Sequence, residues 1–425
     1  MPNSVDFLFT PFSIGKLQLK NRIVMAPMTR SFSPGHVPGA DVAAYYRRRA
    51  VGEVGLILSE GVHPNRATAD GTPDVPDIVT DAAKAAWKKV ADGVRAAGGK
   101  MGLQLWHEGP YRNPAKSRHP EIPSWSASGM KLPGKTLWPP MSEAEIETAI
   151  EEFVAAAVAT RDAGFDCAEF HGAHSYLIDS FFWSETNQRT DKWGGGWEGR
   201  TRLASEIIRR TRARLGPDFP LLIRISQWKQ QDFAAKAAAT PQEFEKWLAP
   251  LVEAGIDAFH CSQRRFFEPA FDGSDLNVAG WAKKLTGKPT ISVGSVGLSG
   301  EFTATYGGEV SSPASLDRLV EMMERGDFDL IAVGRALLQD PDWAAKIRVD
   351  HLATEPKYRP GNVTPQTRHV EGRRVQPKPF STTCAGRGLL PEPATGPGLR
   401  ERKCLPANDI APTGAKSRYG DVRPT

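Results

Sequence analysis

Eight short runs of apolar, β-favouring residues punctuate the chain, each bounded by Gly, Pro or Asp. They are RIVMAP (22–27), VGLILSEG (54–61), KMGLQLW (100–106), FDCAEFH (165–171), PLLIRIS (220–226), IDAFHCS (256–262), TISVG (290–294) and DLIAVGR (329–335). Because they are apolar on both faces rather than alternating, they read as strands of a parallel sheet covered on two sides. A stretch able to hold a helix follows each run. The clearest helical periods fall at 81–97, 142–163, 198–215, 241–254 and 313–325. Ser142 with Glu145 and Thr240 with Glu243 have the spacing of a capping box, and Pro241 takes a first-turn position. Eight alternations of strand and helix predict an α/β fold, an eightfold (β/α)8 TIM barrel. An open doubly wound sheet is the alternative, weakened by the absence of a G-x-G-x-x-G turn after any strand.

Three segments outside this repeat carry further expectations. LFTPFSIGKLQLKN alternates about Ile14-Gly15, which predicts an N-terminal hairpin across the barrel floor. Residues 107–140 are rich in Pro, Ser, Gly and Trp, too long for a simple connection, and placed where barrel loops shape a site. After about Asp350 no apolar period survives. The predicted organisation is a barrel over 1–350 followed by a Pro/Gly/Arg-rich, disordered tail over 351–425.

Composition narrows the class of partner. The formal charge of +5 sits in that tail: residues 351–425 hold 13 Lys or Arg against 6 Asp or Glu, leaving residues 1–350 near neutrality. A nearly uncharged body gives no footprint for nucleic acid. No run of roughly 18 apolar residues and no basic n-region with an apolar h-region occurs, so neither membrane nor export is expected. Cys167, Cys261, Cys384 and Cys404 are too sparse for a disulfide framework or a Cys-rich metal site. The expectation is a cytoplasmic protein, monomer or homodimer, acting on a small molecule.

The carboxyl ends of barrel strands are where barrel chemistry sits, and here they are unusually polar. Gly294-Ser295 and Gly334-Arg335 end the last two runs, the usual phosphate corner, with small residues that admit an anion and a guanidinium to fork onto it. Arg224 inside LLIRIS needs an acceptor, either a structural carboxylate or an anionic cofactor ring. Gln104 in GLQLW is a two-faced amide in an apolar strand, suited to a donor–acceptor edge or to a core partner. In HGAHSY, His171 and His174 can share one substrate oxygen while Tyr176 gives a proton. On a continuous helix Tyr176 would point away from His174, so convergence requires a loop, which Gly172 permits. The same histidines also suit a zinc or iron site with His260 or Asp179 as third ligand.

Several long motifs, in order, resemble the old yellow enzymes, the FMN-dependent NAD(P)H oxidoreductases. They are LFTPFSIGKLQLKNRIVMAPMTR (8–30), LILSEG (56–61), LQLWHEG (103–109), EFHGAHSYLIDSFFWSETNQRTDKWGG (169–195) and AVGRALLQDPDW (332–343). The resemblance implies FMN as cofactor and NAD(P)H as reductant. It implies that Pro27, Thr29 and Gly61 line the flavin ring, with Thr29 bonded beside N5. Gln104 would meet the pyrimidine edge, Arg224 the N1 side, and Gly294, Ser295, Gly334 and Arg335 the phosphate. His171 and His174 would grip the substrate oxygen, Tyr176 would donate the proton, and Trp106 would wall the pocket. The implied activity is reduction of the activated C=C bond of α,β-unsaturated carbonyl or nitro compounds, an ene-reductase reaction. No metal is expected. Two rival expectations stand beside it: a metal-dependent barrel hydrolase using His171 and His174, and a flavin-binding protein without useful turnover.

Overall fold

The computed structural model describes residues 4–300 and 310–350. A hairpin of β1 (Phe12–Ile14) and β2 (Leu17–Leu19) turns at Gly15, whose φ of 55° lies in the left-handed region. Strands β3 (Ile23–Met25), β4 (Leu56–Val62) and β5 (Lys100–Leu105) follow. A small hairpin, β6 (Met130–Leu132) with β7 (Lys135–Thr136), lies in the long loop. Then come β8 (Cys167–Gly172), β9 (Leu221–Ser226), β10 (Ala258–Ser262), β11 (Thr290–Val293) and β12 (Leu330–Val333). The eight strands β3, β4, β5, β8, β9, β10, β11 and β12 pair in parallel and close on themselves. The expected (β/α)8 barrel is the observed one.

The helices form where an apolar stripe meets a cap. Helix α2 (Asp81–Ala96) buries Ala83, Trp87, Val90, Ala91 and Val94, a 3.6-residue period, and Thr80 caps it by accepting from Ala83 N–H. For α3 (Glu143–Asp162), Ser142 and Glu145 form the reciprocal capping box. The second proposed box is half made: Thr240 accepts from Glu243 N–H at the start of α6 (Pro241–Glu253), but the Glu243 carboxylate accepts from Ala239 N–H instead. Helix α5 (Trp197–Leu215) also falls where its period predicts. The helix expected over 313–325 is shorter, α8 (Asp317–Glu324), because Pro313 is drawn into an antiparallel bridge with Leu298.

The barrel interior changes character from floor to mouth, and this places the site. Register puts Leu56, Leu58, Cys167, Leu222, Ala258, Ile291 and Leu330 together at the bottom, sealed below by Ile14, Leu17 and Leu19 of the hairpin. Two residues further along the strands the inward positions become Gln104, Glu169, Arg224 and His260. The expected hairpin over the floor is therefore the plug of the apolar layer. The tail over 351–425 lies outside the described residues.

Candidate active site

Glu169 organises the polar layer. Gln104 Nε2 donates to Glu169 Oε1 at 2.8 Å, and His260 Nδ1 lies 2.8 Å from Glu169 Oε2. All three are buried, so each depends on the others for its hydrogen bonds. The amide of Gln104 thus has a core partner on its nitrogen. Arg224 is paired by register with His171 on one side and His260 on the other. It is only 8% exposed, yet among the described residues its guanidinium makes no hydrogen bond, and Nε is enclosed without a partner. Burial pushes its pKa down, while the nearby Glu169 charge pulls it up.

Above Arg224 the chain leaves β8 and turns before α4 (Leu177–Phe182). His174 and Ser175 take left-handed backbone conformations, with φ of 62° and 64°. The turn is therefore made at these two residues and not at Gly172, whose role is close packing: a Cβ there would sit 3.1 Å from the Arg224 carbonyl oxygen. Three bonds hold the unfavourable backbone. Ser175 N–H donates to Asp179 Oδ2 at 2.6 Å, His174 N–H to Ser226 Oγ at 3.0 Å, and Gln230 Nε2 to the His174 carbonyl at 2.7 Å. Lys229 Nζ meets Asp179 Oδ1 at 2.5 Å, with both side chains wholly buried.

The turn gathers the three side chains. Ring centroids are 5.1 Å apart for His171 and His174, 4.9 Å for His171 and Tyr176, and 6.5 Å for His174 and Tyr176. Trp106 packs edge-on against Tyr176 at 5.0 Å, Tyr111 closes the other side at 5.9 Å, and Trp228 lies 4.6 Å from His174. Burial first, and then the Arg224 charge, hold both imidazoles well below their usual pKa, so they are neutral near pH 7. Ala173 N–H donates to His171 Nδ1 at 3.4 Å, which leaves the ring proton on Nε2. His174 Nε2 lies 2.8 Å from Ser262 Oγ.

The remaining residues lie around this centre. Thr29 Oγ1 accepts from Gly61 N–H at 3.4 Å, with Pro27 two residues before it on the same rim. A Cβ on Gly61 would come within 2.5 Å of the Trp106 ring, so this strand end has to be glycine. Gly294 and Ser295 follow β11, and Gly334 and Arg335 follow β12, on neighbouring strands. Gly294 has φ of 143° and would place a Cβ 2.5 Å from the Gln263 carbonyl oxygen. Arg335 is buried, with Nη1 donating to Ser311 Oγ at 3.0 Å and Nη2 to the Gly300 carbonyl at 2.5 Å and Ser295 Oγ at 3.4 Å.

Residues 7–354 match the model of the NADH:flavin oxidoreductase / NADH oxidase family. The chain belongs to that family. It is an old yellow enzyme-type oxidoreductase that uses FMN and NAD(P)H. It is 37% identical to the "probable inactive reductase easA" of Epichloe festucae var. lolii, over 62% of this chain and 70% of the relative. It is 30% identical to 12-oxophytodienoate reductase 2 of Arabidopsis thaliana, over 81% of this chain and 88% of the relative. Among solved structures, morphinone reductase in complex with tetrahydroNAD superposes with a TM-score of 0.68 at 28% identity, covering 80% of this chain and 90% of that one.

The residues present fit FMN. A buried cation with no acceptor among the described residues suits a ring that becomes anionic when reduced. The hydrolase reading is not favoured by the family match, and one of its two candidate third ligands, Asp179, is committed to Lys229. Sequence reasoning missed Glu169, although a carboxylate inside the run FDCAEFH is the same signal as the guanidinium in LLIRIS. Lys229 and Trp228 lay in a polar loop with no such contrast.

Proposed function

We propose that the protein reduces the C=C bond of α,β-unsaturated carbonyl or nitro compounds. Bound FMN would supply the hydride chemistry, with NAD(P)H as the reductant. Arg224, Gln104, Thr29, Pro27 and Gly61 would hold its ring, and Gly294, Ser295, Gly334 and Arg335 its phosphate. His171 Nε2–H and the neutral His174 ring donate to the substrate oxygen and stabilise the negative charge that develops there. The Ser262 hydroxyl, 2.8 Å from His174 Nε2, orients the His174 ring. Tyr176 gives its phenolic proton to the α-carbon. Trp106, Tyr111 and Trp228 wall the cleft and exclude water.

The observation that carries this reading is the buried Arg224 guanidinium, without a hydrogen-bond partner among the described residues, on the strand paired with the one that leads into three converging rings. An anaerobic experiment tests it. NAD(P)H should bleach the flavin band, and cyclohexenone or a nitroalkene, but not a saturated ketone, should restore it with formation of the saturated product. Recovery with the saturated ketone, or no recovery with either alkene, would contradict it.

A further inference from the structure

Away from the His171 turn, a second cluster of titratable side chains is buried behind Trp106. His36 ends the short 3-10 turn Pro34–His36 after β3, His63 follows β4, and Asp70 lies in the loop leading to α2. One ligand atom from each of these three lies within 4.8 Å of those of the other two, and all three residues are buried. Glu108, just after β5, adds a second carboxylate, its Oε1 3.2 Å from His63 Nε2.

Beyond the His63–Glu108 contact, these groups do not satisfy one another. Both ring nitrogens of His63, which is wholly buried, and Oδ1 of Asp70 lack a hydrogen-bond partner among the described residues. The carbonyl of Val75, 2.6 Å from His36 Nδ1, can only accept, so Nδ1 carries a proton and Nε2 is the atom turned to Asp70. That Nε2 lies 3.7 Å from Asp70 Oδ2. A charge-assisted pair would close to about 2.8 Å. Two donors on one tetrahedral ion, with bonds of about 2.0–2.1 Å, stand about 3.4 Å apart. The Arg112 guanidinium turns its donors to the carbonyls of Asp70, Ile122 and His119 and to Ser117 Oγ, not to these side chains.

We propose that His36, His63 and Asp70, with Glu108 at their edge, form a structural site for one divalent ion of the zinc class. Two imidazoles and two carboxylates match such an ion in ligand type and cancel its charge. A carbonyl bonded to the far nitrogen of His36 is the usual orienting contact of a ligating imidazole. The ion ties together the loops that follow the first three barrel strands. One ring of the site, His63, packs 5.3 Å from Trp106, so the clamp backs the wall of the reaction cleft. The proposal departs from the sequence expectation of no metal, and it stands whether or not the ene-reductase reading does.

Metal analysis of the full, flavin-loaded and tag-free chain, purified without chelator, tests it. Elemental analysis should find about one zinc-class ion per chain. Stripping with EDTA should lower the melting temperature, and adding zinc chloride should restore it. His63→Gln and Asp70→Asn, checked for fold by circular dichroism, should lose both the ion and the response to zinc. Should either variant fail to fold, X-ray absorption at the zinc edge of the wild-type chain decides, with nitrogen and oxygen neighbours at about 2.0–2.1 Å expected. A metal-free wild-type chain whose melting temperature ignores zinc, or an ion retained by a folded His63→Gln chain, would overturn it.

Discussion

Replacing Arg224 by Met separates the two reasons a buried guanidinium can be present. Methionine keeps an unbranched apolar stem in the barrel but removes a charge that has no hydrogen-bond acceptor among the described residues. A buried donor left unsatisfied costs about 1–3 kcal/mol, and more when charged. The FMN-free Arg224→Met protein should therefore be more stable than the wild type by about that amount, or about 2–6 °C in Tm at roughly 2 °C per kcal/mol. Glu169 loses a nearby positive charge but keeps its bonds to Gln104 and His260, so it offsets only part of the gain. With FMN the sign reverses, because the anionic edge of the ring is left without its partner. A loss of about 2–5 kcal/mol is expected, a Kd weaker by about 30-fold to 5,000-fold. Thermal unfolding of flavin-stripped protein and a flavin-fluorescence titration read the two effects separately. If stability and affinity fall together, Arg224 is a structural residue. If affinity is unchanged, the ring does not lie over it.

The remaining predictions concern the turn, the buried histidines and the chain's extent. Tyr176→Phe keeps the ring packed between Trp106 and Tyr111, so stopped-flow should show alkene reduction slowed by about 10²–10⁴-fold with flavin reduction by NAD(P)H unaffected; equal losses would remove its acid role. Asp179→Ala leaves the wholly buried Lys229 unpaired and should cost about 3–5 kcal/mol in urea unfolding; Lys229→Met in the same background should recover much of it, and no recovery would argue against the pair as the cause. His107, His171, His174 and His260 all have pKa values lowered by burial. Their stability contribution is full above the unfolded value of about 6.5 and is lost as pH falls below it, up to about 1.4 kcal/mol per pH unit for each ring. Glu152, pushed up to about 7 by burial, offsets one of the four in that window. A melting temperature that stays flat from pH 7.5 to about 5.5 would contradict this. We also propose that residues 1–350 form the catalytic body, so a chain ending at Asp350 should keep wild-type turnover and Tm; a large loss of either would show that 351–425 takes part.

The barrel was legible because its strands are apolar on both faces, a pattern that few other environments tolerate, and because the hairpin at Gly15 alternates cleanly. Arg224 and Gln104 stood out by the same logic, as polar residues where neighbours allow no water. What stayed hidden depends on contacts made across the fold. Gln104 and Glu169 are 65 residues apart, and Glu169 and His260 are 91 apart, so no local spacing announces their network. The Asp179–Lys229 pair spans 50 residues and ends in a loop without period. Gly172 permits the loop that HGAHSY requires, yet the left-handed turn falls on His174 and Ser175, held there by three hydrogen bonds to side chains distant in sequence or a turn away. The start of α8 was set too early because a bridge to Leu298, made in space and not in sequence, claims Pro313.

A crystal structure of the protein loaded with FMN measures the central claim most directly. The ring should lie in the barrel mouth with its N1 side within hydrogen-bond reach of the Arg224 guanidinium, one face under His171, His174 and Tyr176, and its phosphate against Gly294, Ser295, Gly334 and Arg335. Flavin bound elsewhere, with Arg224 still lacking an acceptor, would contradict the account.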